Sequence, residues 1–336
     1  MMLRANEIVE IASEGSKPSA ALKRRALGDI TNTNQDGSKE NVAKKPQTNQ
    51  GEFIVAKPEK LIDERLYMQR PCDDVDMRDS TNPLLVTCYV NDIYIHFNDL
   101  EKEFSVNSGY MANQDFVNEK MRTILVDWLV EVHLKFKMVP ESLYMTICII
   151  DRFLQNNTVR RSRLQLVGVA ALLIAAKYEE IYPPELRDLV YITDRAYNKQ
   201  DILDMETEIV KSLQYHLTVP TIHSFLCRYL KAAHADRAMV QLACYLTERT
   251  LQEYSMLKFL PSEIAASSVL IARKTLKRHS WSPTLVKYTN YDERDLAACV
   301  EEMQMTFSRA SNQPQAVSRK YSSSKFGGVA RMDLVF

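Results

Sequence analysis

Several features are scarce or absent in this sequence of 336 residues, and each absence narrows the structures that it can form. Glycine occurs only eight times, while leucine, alanine and methionine are abundant, and this composition favours an all-α protein. No run of about 18 consecutive apolar residues is present, so we expect no transmembrane helix. The N-terminal residues also lack the long apolar stretch of a signal peptide.

The cysteines and histidines give little support for metal or disulfide chemistry. The six cysteines are scattered without a Cys-x-x-Cys pair, which disfavours a zinc site and a disulfide framework and fits a reducing intracellular compartment. The six histidines show no His-Glu-x-x-His or other ligand spacing. We therefore expect no metal and no cofactor.

The charge balance and the glycine pattern disfavour two further classes of protein. Lys and Arg total 43, as do Asp and Glu, so the chain lacks the strongly basic balance of a nucleic-acid binder. Gly168 stands alone, without a glycine-rich phosphate loop or its lysine. The sequence predicts a non-catalytic protein that binds neither nucleic acid nor membrane.

The composition changes near residue 80. Residues 1–80 are rich in Lys, Asn, Gln, Ser and Asp and have few aromatic residues, which predicts a disordered tail. From Tyr89 onward the pattern is helical. The predicted helices are 91–104, 121–136, 143–154, 163–181, a helix with Pro184 in its first turn, and 198–213.

Part of the helical series is repeated along the chain. The segment Leu173–Lys177 parallels Leu270–Lys274 at a separation of 97 residues, and the same separation relates Trp128-Leu129 to Phe225-Leu226. The shared spacing predicts two helical domains of about 95 residues each, too few repeats for a solenoid.

The segment Met121–Val132 is the most informative stretch of the sequence. It has helical length, no Gly or Pro, and apolar residues on more than one side. Since a surface helix normally carries one apolar stripe, a helix of this kind packs on several neighbours or lines a groove. Two interpretations follow: an ordinary core helix, or a core helix that also shows part of itself to a partner.

Several long motifs in the helical region resemble those of one known family. They are MRTILVDWLVEV at 121–132, DRFL at 151–154, LQLVG at 164–168, AAKYEEIYPPE at 175–185 and YITD at 191–194. They are similar to the cyclin box, and the resemblance runs from about Asn82 to the C-terminus. The residues HSFLCRYL at 223–230 and LPSEIAAS at 260–267 are closer to B-type mitotic cyclins than to A-type cyclins.

The resemblance implies a tandem cyclin-box fold: an all-α chain with two five-helix domains behind a disordered tail. The implied division is 1–80 for the tail, 82–117 for an N-terminal helix region, 118–215 for the first box, 216–320 for the second and 321–336 for a C-terminal tail. The implied function is the activating and substrate-recruiting subunit of a mitotic cyclin-dependent kinase that controls the G2/M transition.

The resemblance also assigns roles to charged residues that periodicity alone would leave as solvated helix charges. Lys177 and Glu206 match the pair that contacts the kinase backbone in cyclins. Neighbouring residues expected on the same face are Glu179, Glu180 and Ile181. Arg122 and Asp151 match a pair that joins two helices of the first box, where each charge must neutralise the other.

A second implied surface is the groove in which cyclins dock short Arg-x-Leu segments of substrates and inhibitors. The matching residues are Met121, Ile124, Leu125, Trp128, Glu131, Leu164 and Gln165. In this interpretation Trp128 and the aliphatic side chains hold the leucine, Glu131 holds the arginine, and Gln165 binds the peptide backbone. Trp and Met are common at such binding surfaces.

The tail contains two motifs that predict regulated destruction. The nine-residue destruction box spans 24–32, with Arg24, Leu27, Ile30 and Asn32 at its defining positions. Lys39, Glu40 and Asn41 form a KEN box. These degrons imply the anaphase-promoting ubiquitin ligase and its activators as partners, and disorder would keep them accessible. Basic clusters at 23–25 and 44–45 suggest nuclear import, so we expect the protein in nucleus and cytoplasm.

Three alternatives remain at the level of the sequence. An A-type cyclin acting in S and G2 phase is the nearest, since the distinction depends on a few residues of the second box. A general transcription factor on the same two-repeat fold would bind DNA, but it would need a basic surface and usually a zinc ribbon. A helical scaffold without a kinase partner would leave the combination of Lys177, Glu206 and the groove residues unexplained.

Overall fold

A computed structural model describes residues 72–279, 281–308 and 316–336. Within these ranges the regular secondary structure consists of twelve α-helices with short 3-10 turns between them, so the all-α prediction is confirmed. None of the helices in the described part of the chain combines the length and the apolar character needed to cross a bilayer.

The first five-helix unit follows a leading helix, α1 (Val90–Glu103). Its helices are α2 (Glu119–Phe136), α3 (Pro140–Asn156), α4 (Leu164–Glu179), α5 (Leu186–Ile192) and α6 (Lys199–Ser212). Helix α2 begins where the Asn118 side chain accepts a hydrogen bond from the backbone N–H of Met121, at 3.0 Å. It ends at Lys137, which has left-handed backbone angles (φ 55°).

The second five-helix unit repeats the order of helices in the first. Its helices are α7 (Ile222–Ala232), α8 (Arg237–Leu251), α9 (Pro261–Thr275), α10 (Pro283–Thr289) and α11 (Ala297–Ser308), and α12 (Ala316–Ser322) follows. The repeated sequence segments occupy equivalent helices, α2 with α7 and α4 with α9. The two predicted helical domains are therefore present.

Helices α4 and α9 lie at the centre of their units. In α4 every residue from Leu166 to Ala176 is buried, so the helix is enclosed on all sides. Gly168 allows close approach of α2, because a methyl group added there would lie 2.8 Å from Cδ1 of Leu125. The missing side chain thus determines how closely α2 and α4 can pack.

The structure differs from the prediction at the end of the N-terminal tail. We call residues 72–80 the strap, because they already pack on the second five-helix unit. Asp76 binds Arg228 of α7 through two hydrogen bonds of 2.6 Å, and Lys231 through a third of 2.5 Å. The backbone N–H of Val75 donates to the Tyr288 hydroxyl at 3.2 Å. The composition of residues 1–80 could not reveal these partners, which lie far along the chain.

Candidate functional site

The structure brings Lys177 and Glu206 into direct contact on the surface of the first unit. Lys177 is at the C-terminal end of the buried helix α4, and its Nζ lies 2.7 and 2.8 Å from the two carboxylate oxygens of Glu206 on α6. The Lys177 side chain is 49% exposed and that of Glu206 is 17% exposed. The pair is therefore available to another molecule, and its ammonium has three N–H donors.

Of the residues that follow Lys177, some are exposed to solvent and others are hydrogen-bonded within the protein. Ile181 and Tyr182 are 78% and 77% exposed, which places two large apolar side chains beside the Lys177 pair. Glu180, in contrast, accepts hydrogen bonds from the backbone N–H of Val139 and the hydroxyl of Ser142, both at 2.7 Å. The Glu180 carboxylate is thus bound to the start of α3, whereas the sequence placed it with Ile181 on one binding face.

Glu179 lies in an electrostatically unfavourable position at the same edge. Partial burial, together with the carboxylates of Glu141 and Glu180, raises the pKa of Glu179 to about 7. Glu141 is itself bound to His223, with 2.9 Å between Oε2 and Nδ1. A small local change in environment would therefore change the charge of Glu179 near neutral pH.

Arg122 and Asp151 form a buried ion pair between α2 and α3. The Nε–Oδ1 and Nη2–Oδ2 distances are both 2.6 Å, and the two side chains are 1% and 3% exposed. The Tyr110 hydroxyl donates to Oδ1 of Asp151 at 2.8 Å. Burial acts to lower the pKa of Arg122, but the Asp151 carboxylate outweighs it and raises that pKa, so the guanidinium stays charged.

The same arginine joins the two five-helix units. Its Nη1 donates to the backbone carbonyl of Leu251 at the end of α8, at 3.0 Å. The next residue adds a second contact, since the Thr123 hydroxyl donates to the carbonyl of Gln252 at 2.9 Å. Helix α2 therefore contacts the second unit as well as its own, a role that the sequence did not indicate.

The predicted docking residues come together along α2 and the start of α4. Ile124 is 56% exposed, and Met121, Trp128 and Gln165 are half-buried. Leu125 and Leu164 are each only 6% exposed and lie beneath them. This set of residues, which we call the docking groove after its predicted role, combines two buried leucines with more exposed apolar side chains above them. The partial exposure of Trp128 is what a docking role requires.

The acidic end of the docking groove has an internal partner. Glu131 is bound by the guanidinium of Arg319, which comes from the C-terminal helix α12. Asp127, one turn earlier on α2, accepts from the Ala316 backbone N–H at 2.8 Å and from the Gln252 side chain at 2.7 Å. Sequence analysis missed Arg319, since no local pattern relates residues 188 positions apart.

The degron residues Arg24, Leu27, Ile30 and Asn32, and the KEN residues Lys39, Glu40 and Asn41, lie outside the described residues. Within the described ranges, no group of three or more His, Cys, Asp or Glu side chains is arranged to hold a metal ion.

The fold and its surfaces define a class of protein: two helical repeats that present an exposed ion pair and, separately, a set of partly exposed apolar side chains. The family model described as "Cyclin, N-terminal domain" matches residues 92–218, and "Cyclin, C-terminal domain" matches residues 220–334. The G2/mitotic-specific cyclin-B of Hydra vulgaris is 46% identical over 261 residues, which cover 77% of this chain and 72% of that protein. The chain belongs to the cyclin family, in its B-type branch.

Other relatives agree with this assignment. The G2/mitotic-specific cyclin-B of Spisula solidissima is 45% identical over 260 residues, or 77% of this chain, and Cyclin-B2-3 of Arabidopsis thaliana is 43% identical over 267 residues, or 79%. The matches span 60% and 62% of these two proteins, less than two thirds of their length. A viral cyclin from herpesvirus saimiri shares the fold, with a TM-score of 0.57 and 19% identity over 64% of this chain and 97% of that one.

Proposed function

We propose that this chain is the non-catalytic regulatory subunit of a mitotic cyclin-dependent kinase, acting at the G2/M transition. The observation that carries the proposal is the exposed Lys177–Glu206 pair beside Ile181, in a chain of the B-type cyclin family. Two of the Lys177 donors engage Glu206, which leaves a third for a backbone carbonyl of the kinase.

The proposed mechanism is a shift in the conformational population of the kinase. Docking of the first box holds the kinase's C-helix inward, where its glutamate pairs with the strand lysine, and draws the activation loop away from the substrate cleft. Both arrangements are required for phosphoryl transfer. The cyclin contributes contacts that exist only in the active state, and no reacting group.

The substitution pair Lys177→Ala and Glu206→Ala tests this proposal. The double variant should keep its helical circular dichroism but lose kinase binding and activation. A matched control is Arg163→Ala with Glu208→Ala. Arg163 immediately precedes α4, at the end opposite to Lys177, and its Nη2 lies 2.9 Å from Oε2 of Glu208 on α6. The control should activate the kinase normally. Full activation by the Lys177/Glu206 variant would reject the proposed surface.

The proposal extends to substrate recruitment through the docking groove. Arg-x-Leu segments would anchor their leucine on Trp128 and their arginine on Glu131, so that second-site attachment raises the local substrate concentration. Trp128→Ala should slow phosphorylation of substrates that carry the motif and leave a short peptide without it unaffected. Equal losses on both substrates would indicate damage to the fold.

The tail motifs support a further part of the proposal, which is destruction through the anaphase-promoting ubiquitin ligase. Arg24→Ala with Leu27→Ala should prolong the lifetime of the protein at mitotic exit. Unchanged turnover after the KEN residues are also replaced would rule out these degrons. We also propose a nuclear and cytoplasmic location, which imaging of a variant with alanines at 23–25 and 44–45 would test.

A further inference from the structure

The ion pair between Arg319 and Glu131 lies at the end of the docking groove where an incoming arginine would bind. With roughly 100° per residue, Glu131 projects within roughly 20° of Ile124 and roughly 40° from Asp127. It thus stands on the border between the apolar rim of the groove and the polar side of α2 that faces α12. Its carboxylate can be reached from both directions.

Helix α12 is held in place by contacts that do not involve Glu131. Lys320 binds both carboxylate oxygens of Glu248 on α8 at 2.7 Å, and the Tyr321 hydroxyl donates to the same carboxylate at 2.6 Å. Lys320 and Tyr321 are buried, at 7% and 3% exposure. Two adjacent residues of α12 are therefore anchored in the core. Arg319 directly precedes them, so its backbone position is fixed without any contribution from Glu131.

The two helices run in matching register. Ala316 at the start of α12 contacts Asp127, and Arg319, one turn later, contacts Glu131, one turn later on α2. The neighbouring carboxylate of Asp127 is already engaged through Oδ1, which accepts from the Ala316 N–H and the Gln252 amide. An arginine entering from the groove therefore meets Glu131, and it meets Arg319 there.

We propose that Arg319 is a specificity-determining residue of the docking groove, which competes with the arginine of a docking segment for Glu131. This inference rests on the docking role given to the groove above. Arg319 and Glu131 are 62% and 53% exposed, so their pair is weak enough for a ligand to displace. The groove of this chain would then select segments more by their apolar anchor than by their arginine.

The test is peptide binding to the full chain, measured by fluorescence anisotropy with an Arg-x-Leu peptide and its Ala-x-Leu counterpart. Arg319→Ala should tighten binding of the Arg-x-Leu peptide about twofold to fivefold, the range expected for an exposed ion pair. Binding of the Ala-x-Leu peptide should stay unchanged. In a Glu131→Ala background the effect of Arg319→Ala should disappear.

Net charge needs its own control, because a purely long-range charge effect on the peptide would follow the removal of any exposed cation. Arg331→Ala removes an exposed arginine outside α12 and should leave both affinities as they are. If the Arg-x-Leu peptide binds in a Glu131-dependent way but Arg319→Ala changes nothing, the competition is disproved while the docking groove stands. If that peptide binds no variant at all, the docking groove itself is disproved, and the inference falls with it.

Discussion

A single buried arginine connects three parts of this molecule. Arg122 pairs with Asp151 inside the first box and donates to the carbonyl of Leu251 in the second. The Asp151 carboxylate also accepts a hydrogen bond from the Tyr110 hydroxyl, in the segment that precedes the first box. Because a buried charge is tolerated only while it is neutralised, the two boxes share the consequences of any change at Asp151.

Asp151→Asn should therefore lower the free energy of unfolding by about 3–5 kcal/mol, since it leaves the Arg122 charge buried and unneutralised. Urea denaturation followed by circular dichroism measures this loss. The control is Glu208→Gln, which breaks the exposed pair with Arg163 and should cost less than about 1 kcal/mol. A similar small cost for both substitutions would mean that Asp151 does not stabilise the fold through Arg122.

His133 makes the stability of the folded protein depend on pH in the acidic range. Burial, reinforced by the nearby Lys320 ammonium, lowers the pKa of His133 to about 4. Its Nε2 lies 2.8 Å from the carbonyl of Val139, so the neutral ring donates there, and its buried Nδ1 has no hydrogen-bond partner. A proton on Nδ1 would put a charge into the core.

Acid lowers the stability of the folded state through His133. Below the usual histidine pKa of 6.5 the unfolded chain binds a proton at this position, whereas the folded chain stays unprotonated there until the pH approaches 4. We expect His133 to cost up to about 3 kcal/mol of stability as the pH falls from 6.5 towards 4. His133→Gln keeps a donor for Val139 and should flatten this part of the stability profile. The exposed His96→Gln should leave it unchanged, and parallel profiles for wild type and His133→Gln would contradict the explanation.

At the scale of elements, the docking groove depends on the distance between α2 and α4. Gly168→Ala would place a methyl group 2.8 Å from Cδ1 of Leu125 and push this side chain towards the groove. Alanine is worth about 1 kcal/mol over glycine inside a helix, which offsets the crowding, so stability should change little. Affinity for a docking peptide should fall about fivefold, as measured by calorimetry.

The control for this change is Gly109→Ala, whose added methyl would lie 3.4 Å from Oδ1 of Asn107, away from the groove. Docking affinity should be unaffected there. If Gly168→Ala binds the peptide as tightly as wild type, Leu125 has moved without narrowing the groove, and the spacing of α2 and α4 does not determine docking.

The sequence periodicity of α2 predicted its apolar stripe but not its contact with α12. The apolar stripe of Met121, Ile124, Leu125 and Trp128 is local in sequence, so the pattern marked it and the structure brings it together. The contact of Glu131 with α12 joins residues 188 apart, and helical periodicity carries no information on which distant residue fills a given side.

At the scale of the whole molecule, the same limit explains the boundary of the tail. Two helical domains were predicted because their repeats share one spacing in the sequence. The strap was missed because its polar composition is that of a segment without a core, and its partners Arg228 and Lys231 lie about half the chain away. The role of the Asp76 carboxylate becomes apparent only when the fold places Arg228 and Lys231 beside it.

The strap yields a prediction about the stability of the two helical units together. A chain beginning at residue 81 should be about 2 kcal/mol less stable to urea than a chain beginning at residue 72, because Arg228, only 4% exposed at its side chain, loses its partner. Asp76→Asn in the longer chain should lose most of the same free energy. The loss from Asp76→Asn cannot exceed the loss from removing the whole strap, because the strap can detach once the Asp76 charge is gone.

The pH dependence separates this charge effect from simple loss of packing. Burial acts to raise the pKa of Asp76, but its bonds with Arg228 and Lys231 prevail and lower it below 3.8. The stability advantage of the longer chain should therefore be complete above about pH 5 and decline as the pH falls through 3.8 and below. An advantage that persists in acid would assign the strap's contribution to its apolar contacts, such as Val75, and equal stability of the two chains at neutral pH would show that the strap contributes nothing.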